Sequence, residues 1–246
     1  GGSFFQSRRS PRFKFTLCLN FHHLKGKSCT LSSLFTPNSP RSSQALDYTQ
    51  TYQMSLPPIE QITQLSDSEI QDALDNLFEP CQTLSSYLIP KIRNRSDFRT
   101  YGDLIEYCRL HLHKLINEYK ASSKNADVGV KKEQICKIVS AHPRLGVPKK
   151  QISSLSAHSQ NEQKSLNEGD ESGTLAVKLR ALNDKYERSF PGLIFVVFVN
   201  GRSREEIMEI MDHRISTSSW NDEVQIAFDS MCDIALDRAR KLNSKL

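Results

Sequence analysis

From Asp67 onward, apolar residues return every three or four positions along much of the chain. Ile70, Ala73, Leu74, Leu77 and Phe78 follow Ser66-x-x-Glu69, the form of a reciprocal helix N-cap, and Pro80 stops the pattern. A second helix is predicted from Tyr101, with Leu104, Ile105, Cys108, Leu112, Leu115 and Ile116 on one face. A polar stretch leads to a third, which has Ile135, Ile138 and Val139. The period returns from Thr174 to Tyr186 through Leu175, Leu179 and Leu182. It returns again after a second cap, Ser203-x-x-Glu206, with Ile207, Ile210 and Met211. The last run starts near Asn221 and aligns Val224, Ala227, Phe228, Met231, Ile234 and Ala235. Amphipathic segments joined by short polar links predict an all-α fold, a single-domain helical bundle.

One stretch breaks the period. Leu193 to Val199 reads Leu-Ile-Phe-Val-Val-Phe-Val before Asn-Gly, a strand-like composition. Nothing else in the chain resembles a strand that could pair with it, and a lone strand is not stable. It is expected to run through the bundle as a buried, irregular apolar segment.

Composition changes this picture mainly at the N-terminus. Arg8, Arg9, Arg12, Lys14, Lys25, Lys27 and Arg41 precede the first acid, Asp47, whereas the whole chain has a net charge of only +5. The rest is therefore near neutral, and no basic face that would track phosphates is indicated. Residues 1–53 are rich in Ser, Arg and Phe and lack periodicity. They are expected to form a disordered basic extension of transit-peptide-like composition, with Met54 as a natural start for a helical domain over 54–243. Ser244-Lys245-Leu246 is the tripeptide read by the peroxisomal import receptor, so a peroxisomal location is expected. No apolar run reaches the roughly 18–20 residues of a membrane span, and neither nucleic acid nor membrane is expected as a partner. Cys18, Cys29, Cys81, Cys108, Cys136 and Cys232 show no metal-ligand spacing and read as reduced thiols; no metal is expected.

The candidate chemistry begins at Ile138-Val139-Ser140-Ala141-His142-Pro143-Arg144-Leu145-Gly146. His142 continues the stripe of Ile135, Ile138 and Val139, so it faces the core at a helix C-terminus, and Pro143 turns the chain away. The partial negative charge there would lift the imidazole pKa toward neutrality, a useful setting for a proton donor. The bland alternative is a buried neutral histidine that caps a carbonyl. Further on, Ser159-Gln160-Asn161-Glu162-Gln163 has the form of another capping box.

His-Pro-Arg-Leu-Gly, then Ser-x-x-Glu-Gln, then Leu182-Asn-Asp-Lys-Tyr186 and an aromatic–aliphatic run resembles the OHCU decarboxylase family over roughly Met54 to Leu246. That family acts on 2-oxo-4-hydroxy-4-carboxy-5-ureidoimidazoline in urate degradation. The resemblance implies an all-α fold and a cofactor-independent carboxy-lyase yielding (S)-allantoin. It also implies a peroxisomal address, and it leaves room for a homodimer. By position it makes His142 the catalytic acid–base group and Glu162 its partner, orienting the imidazole. It places Pro143, Ser159, Gln160, Asn161, Glu162, Gln163 and the segment Leu193, Ile194, Phe195, Val196, Val197 against substrate, with Arg214 as an anchoring arginine. The chain departs from the family pattern at Phe190-Pro191-Gly192-Leu193-Ile194, where Phe-Gly-Phe-Pro-Phe is usual. The transthyretin-like hydroxyisourate hydrolase of the same pathway would need several strands, and only helical patterns follow residue 199. From another class, a helical scaffold of the same fold without activity would not need His142 and Glu162 to converge.

Overall fold

The computed structural model describes residues 55–122, 127–146, 155–167 and 173–242. The basic extension over 1–53 and the tripeptide Ser244, Lys245, Leu246 lie outside the described residues. Those described form a short 3₁₀ turn, Ile59–Gln64, and the helices α1 (Asp67–Leu77), α2 (Gln82–Arg93), α3 (Tyr101–Ala121), α4 (Asp127–Ser140), α5 (Ala157–Asn167), α6 (Thr174–Ser189), α7 (Arg204–Thr217) and α8 (Trp220–Leu242). The all-α expectation holds, with no strand among the described residues. None of these helices is long and apolar enough to cross a membrane.

The centre is the pair of long helices α3 and α8. Leu104, Ile105, Cys108, Leu112, Leu115 and Ile116 of the first are buried, as are Val224, Ala227, Phe228, Met231, Cys232 and Ala235 of the second. Helices α1 and α4 pack onto α8, and α6 pairs with α7. The two reciprocal caps form as expected: Ser66 Oγ accepts from Glu69 N while Glu69 accepts from Ser66 N, and Ser203 and Glu206 repeat the exchange. Arg109 of α3 reaches Asp229 and Asp233 of α8 at 3.1 and 2.8 Å, an ion-pair seam on the rim of the central pair.

Helices α2 and α5 were not among the periodic runs. In α2, Leu84, Leu88, Ile89 and Ile92 do face the core. Its start is disguised, because the cap is the Cys81 thiol, which accepts from Leu84 N at 3.5 Å, and Pro90 stands inside the helix. In α5 the Ser159-x-x-Glu162 box is corrected. The capping hydroxyl is that of Ser156, which accepts from Ser159 N at 3.2 Å, and Ser159 lies inside the helix. This one-turn displacement decides the site, because it frees the Ser159 hydroxyl for another partner.

Residues 193–199 run as an irregular extended segment, as expected for a strand-like run without a partner. Tight turns bracket it, with Leu193 N donating to Phe190 O and Arg202 N to Val199 O at 3.0 Å each. Gly192 opens it at φ +88, where a Cβ would lie 2.6 Å from Cys136 Sγ on α4. A side chain there would push the segment off α4.

Candidate active site

A cavity of about 260 Å³ opens where four pieces of chain meet. The exit of α4 supplies His142, Pro143 and Leu145, and α5 supplies Ser159, Glu162 and Gln163. The irregular segment and the turn after it contribute Phe195 through Gly201, and α8 contributes Ile234, Asp237 and Lys241. A volume slightly under the roughly 300–1,000 Å³ of drug-sized sites suits a compact polar metabolite.

His142 lies two residues beyond α4, its N–H donating to Val139 O at 3.2 Å, so the helical stripe does extend to it. The ring is only 5% exposed, and its Nε2 has no hydrogen-bond partner among the described residues. The expected rise in its pKa is reversed. Burial pushes it down to about 4, against the opposing pull of Glu79 and with a small further push from Arg238. Desolvation of the charged form outweighs the helix terminus here, so the resting imidazole is neutral. A buried ring nitrogen left unpaired is costly unless something in the cavity uses it.

The loop that bears His142 is held by both ends of one amide. Gln163 Oε1 accepts from Gly146 N at 2.9 Å, while its Nε2 donates to Arg144 O at 3.0 Å. Asn183 Nδ2 adds a bond to Leu145 O at 3.0 Å. Arg144 makes a bidentate pair with Glu187 at 2.6 Å for each bond and meets Asp184 at 3.1 Å, anchoring the loop to α6. The Asn-Asp-Lys-Tyr motif thus serves the site from behind.

Glu162 does not meet His142 through any hydrogen bond in the structure. It is instead paired with Arg238 of α8, whose Nε donates to Oε1 at 3.1 Å and Nη2 to Oε2 at 3.0 Å. Arg238 is 1% exposed and also donates from Nη2 to Glu79 Oε1 at 2.7 Å and from Nη1 to Phe78 O at 2.9 Å. Ser159 Oγ donates to the same Glu79 oxygen at 2.5 Å. Burial alone would raise the Glu79 pKa, yet Arg238, Ser159 and His142 together hold it below the usual carboxylate value. One guanidinium is thus shared by two carboxylates beside a neutral imidazole.

Arg238 and Glu79 were missed in the sequence. Arg238 extends the stripe of Ile234 and Ala235 on the buried face of α8, so a cation placed on a core face was a readable signal. Glu79, between Phe78 and Pro80 and outside any period, gave none.

Arg214 is brought to the segment, not to the cavity wall. Its guanidinium binds the fully buried Glu223, with Nη2 to Oε2 at 2.6 Å, and donates from Nη1 to Val196 O at 3.0 Å. It stacks over Phe195 with its Cζ 4.4 Å from the ring centroid, and Tyr186 Oη donates to Glu223 at 2.5 Å. Arg214 therefore fixes the backbone on which Phe195, Val196 and Val197 line the cavity. Leu193 is buried in the core, and Ile194 is half-buried away from the wall. Asn161 is exposed and Gln160 donates to Leu155 O at 3.0 Å, so neither lines the cavity. Among the described residues, no group of His, Cys, Asp and Glu is placed to hold a metal.

His142 and Glu162, 20 positions apart in sequence, do converge on one cavity, which an inert scaffold would not require. A crystal structure of (S)-allantoin synthase aligns at a TM-score of 0.48 and 15% identity, over 76% of this chain and 54% of that one. The chain thus spans about half the length of that solved protein. No protein with a curated description matches the chain. The family model described as OHCU decarboxylase matches residues 63–240, from the first 3₁₀ turn nearly to the end of α8. This chain belongs to the OHCU decarboxylase family.

Proposed function

We propose that this protein decarboxylates 2-oxo-4-hydroxy-4-carboxy-5-ureidoimidazoline to (S)-allantoin in urate degradation, with His142 as the acid–base group. The observation that supports this reading most directly is the buried, unpartnered Nε2 of His142 in the wall of a metabolite-sized cavity. Loss of carbon dioxide leaves an electron pair that the adjacent ring can delocalise, so the protein must supply mainly positioned proton transfer. A neutral imidazole can accept a proton from the bound substrate and return one to carbon. Delivery from one wall of the cavity accounts for a single enantiomer.

Glu162, held by Arg238 and 36% exposed on its side chain, offers a fixed carboxylate to the N–H groups of a ureido substituent or ring. The extended segment joins no sheet among the described residues. Arg214 and Arg202 occupy Val196 O, Phe198 O and Val199 O, and other backbone groups of the stretch can serve a planar amide-bearing ring. Lys241, on the cavity wall, is paired with Asp237 at 2.5 Å, and its remaining ammonium donors can reach a carboxylate substrate. The test is to add freshly generated substrate and follow optically active allantoin by circular dichroism. A signal that rises no faster than in the protein-free control would overturn the reading.

A further inference from the structure

Glu79 has no place in the sequence signature, yet its carboxylate joins two walls of the site. It is 5% exposed, in the link between α1 and α2. It accepts from Arg238 Nη2 at 2.7 Å and from Ser159 Oγ at 2.5 Å, and so touches both α8 and α5. Ser159 stands three residues before Glu162 on α5, on the same face of that helix. We propose that Glu79 is a positioning residue, whose carboxylate holds Arg238 independently of Glu162 and so keeps Glu162 aimed at the cavity.

The charges explain why a second carboxylate is needed. Arg238 has a single positive charge and is almost wholly buried. With Glu162 as its sole counter-ion, every movement of Glu162 toward a substrate would expose an unpaired buried guanidinium, a costly state. Glu79 removes that cost, because it stays on Arg238 whatever Glu162 does. Through Ser159 it also fixes the first turn of α5, one turn before Glu162 and Gln163. Asp237 and Lys241 of α8 also line the cavity, and His158 of α5 lies within the field of Arg238 and the two glutamates. Asp237 and Lys241 pair with each other at 2.5 Å, leaving Arg238 to the two glutamates.

This inference rests on the proposed decarboxylation for its kinetic test but not for its spectroscopic one. The kinetic test compares kcat and KM of the full chain, Glu79→Gln and Glu79→Asp, with melting temperature alongside. Glu79→Gln keeps the size but loses the charge, and should lower kcat roughly 10- to 100-fold, the range for lost outer-shell partners of a site. KM should change by less than about threefold, and Glu79→Asp should fall between. Wild-type kcat in a folded Glu79→Gln protein overturns the proposal. If Glu79→Gln does not fold, Glu79→Asp decides: a lowered kcat at unchanged KM supports it, and wild-type kcat overturns it.

The spectroscopic test needs no substrate. The Arg238 Nε–H resonance should be protected from solvent exchange in the wild type and exchange faster in either Glu79 variant. Unchanged protection overturns the proposal whatever reaction the protein performs. A wild-type protein that makes no allantoin, with altered protection in the variants, sinks the reading of the reaction and leaves the role of Glu79 standing.

Discussion

Arg238 holds Glu162 by two parallel bonds, Nε to Oε1 at 3.1 Å and Nη2 to Oε2 at 3.0 Å, so the carboxylate expected to orient His142 is fixed by α8 instead. A fork-to-fork pair sets both direction and plane of the carboxylate. His142 and Glu162 therefore meet through whatever occupies the cavity and through the shared field of Arg238 and Glu79. Each can be altered without directly unseating the other.

Separate consequences follow for the two side chains. His142→Ala should abolish allantoin formation, and His142→Asn should not restore it, because neither can exchange a proton. Glu162→Gln should lower kcat about 10²-fold or more, the scale of an acid–base contribution. Turnover of the His142→Ala protein at the wild-type rate would remove histidine from the mechanism.

Removing the arginine should cost stability before it costs chemistry. Arg238→Leu strands the buried Glu79 and frees Glu162, and breaking a buried pair from one side costs about 3–5 kcal/mol. Urea unfolding should show a midpoint well below that of the wild type. Glu162→Gln, a change at the more exposed end of the network, should shift it far less. Equal midpoints for Arg238→Leu and wild type would show that the buried network is not holding the helices together.

The acid limb of stability should report His142. Its pKa is about 4 in the folded protein and 6.5 when unperturbed, so the unfolded chain binds more protons between those values. Stability is then fully present above about pH 6.5 and is lost as pH falls toward 4. The loss from this residue amounts to about 3 kcal/mol. Melting temperatures of the wild type should fall more steeply over this window than those of His142→Asn. Parallel curves would mean that the imidazole is solvated.

The loop behind His142 depends on a backbone that only glycine takes easily. Gly146 has φ +70, and a Cβ there would lie 2.6 Å from Leu179 Cδ2 in the core. Gly146→Ala should cost about 1–3 kcal/mol, the scale of left-handed strain. It should also lower kcat, since the bond from Gly146 N to Gln163 fixes the loop. A variant that melts with the wild type and keeps its kcat would show that the loop is not strained.

Activity should survive dialysis against a strong chelator, since the proposed chemistry rests on proton transfer alone. Loss that zinc or magnesium restores would reveal a metal-dependent step.

Periodicity sufficed for the helices whose caps and stripes are local properties: α1, α3, α7 and α8 begin at or near their expected starts. It also sufficed for His142, because a stripe of Ile135, Ile138 and Val139 continues through one more turn. The irregular course of residues 193–199 followed from the lack of any second strand to pair with. Helix α2 escaped because a thiol cap and an internal proline imitate a break, and its packing against α1, α3 and α4 overrides both. In α5 the choice between Ser156 and Ser159 as cap was not local. Ser159 is drawn inside by a hydrogen bond to Glu79, 80 positions away in sequence. The sharing of Arg238 by Glu79 and Glu162, the diversion of Arg214 to Glu223 and Val196, and the depressed pKa of His142 all arise from burial. Desolvation and ion pairing depend on which distant residues close over a group, and spacing along one chain holds no record of that.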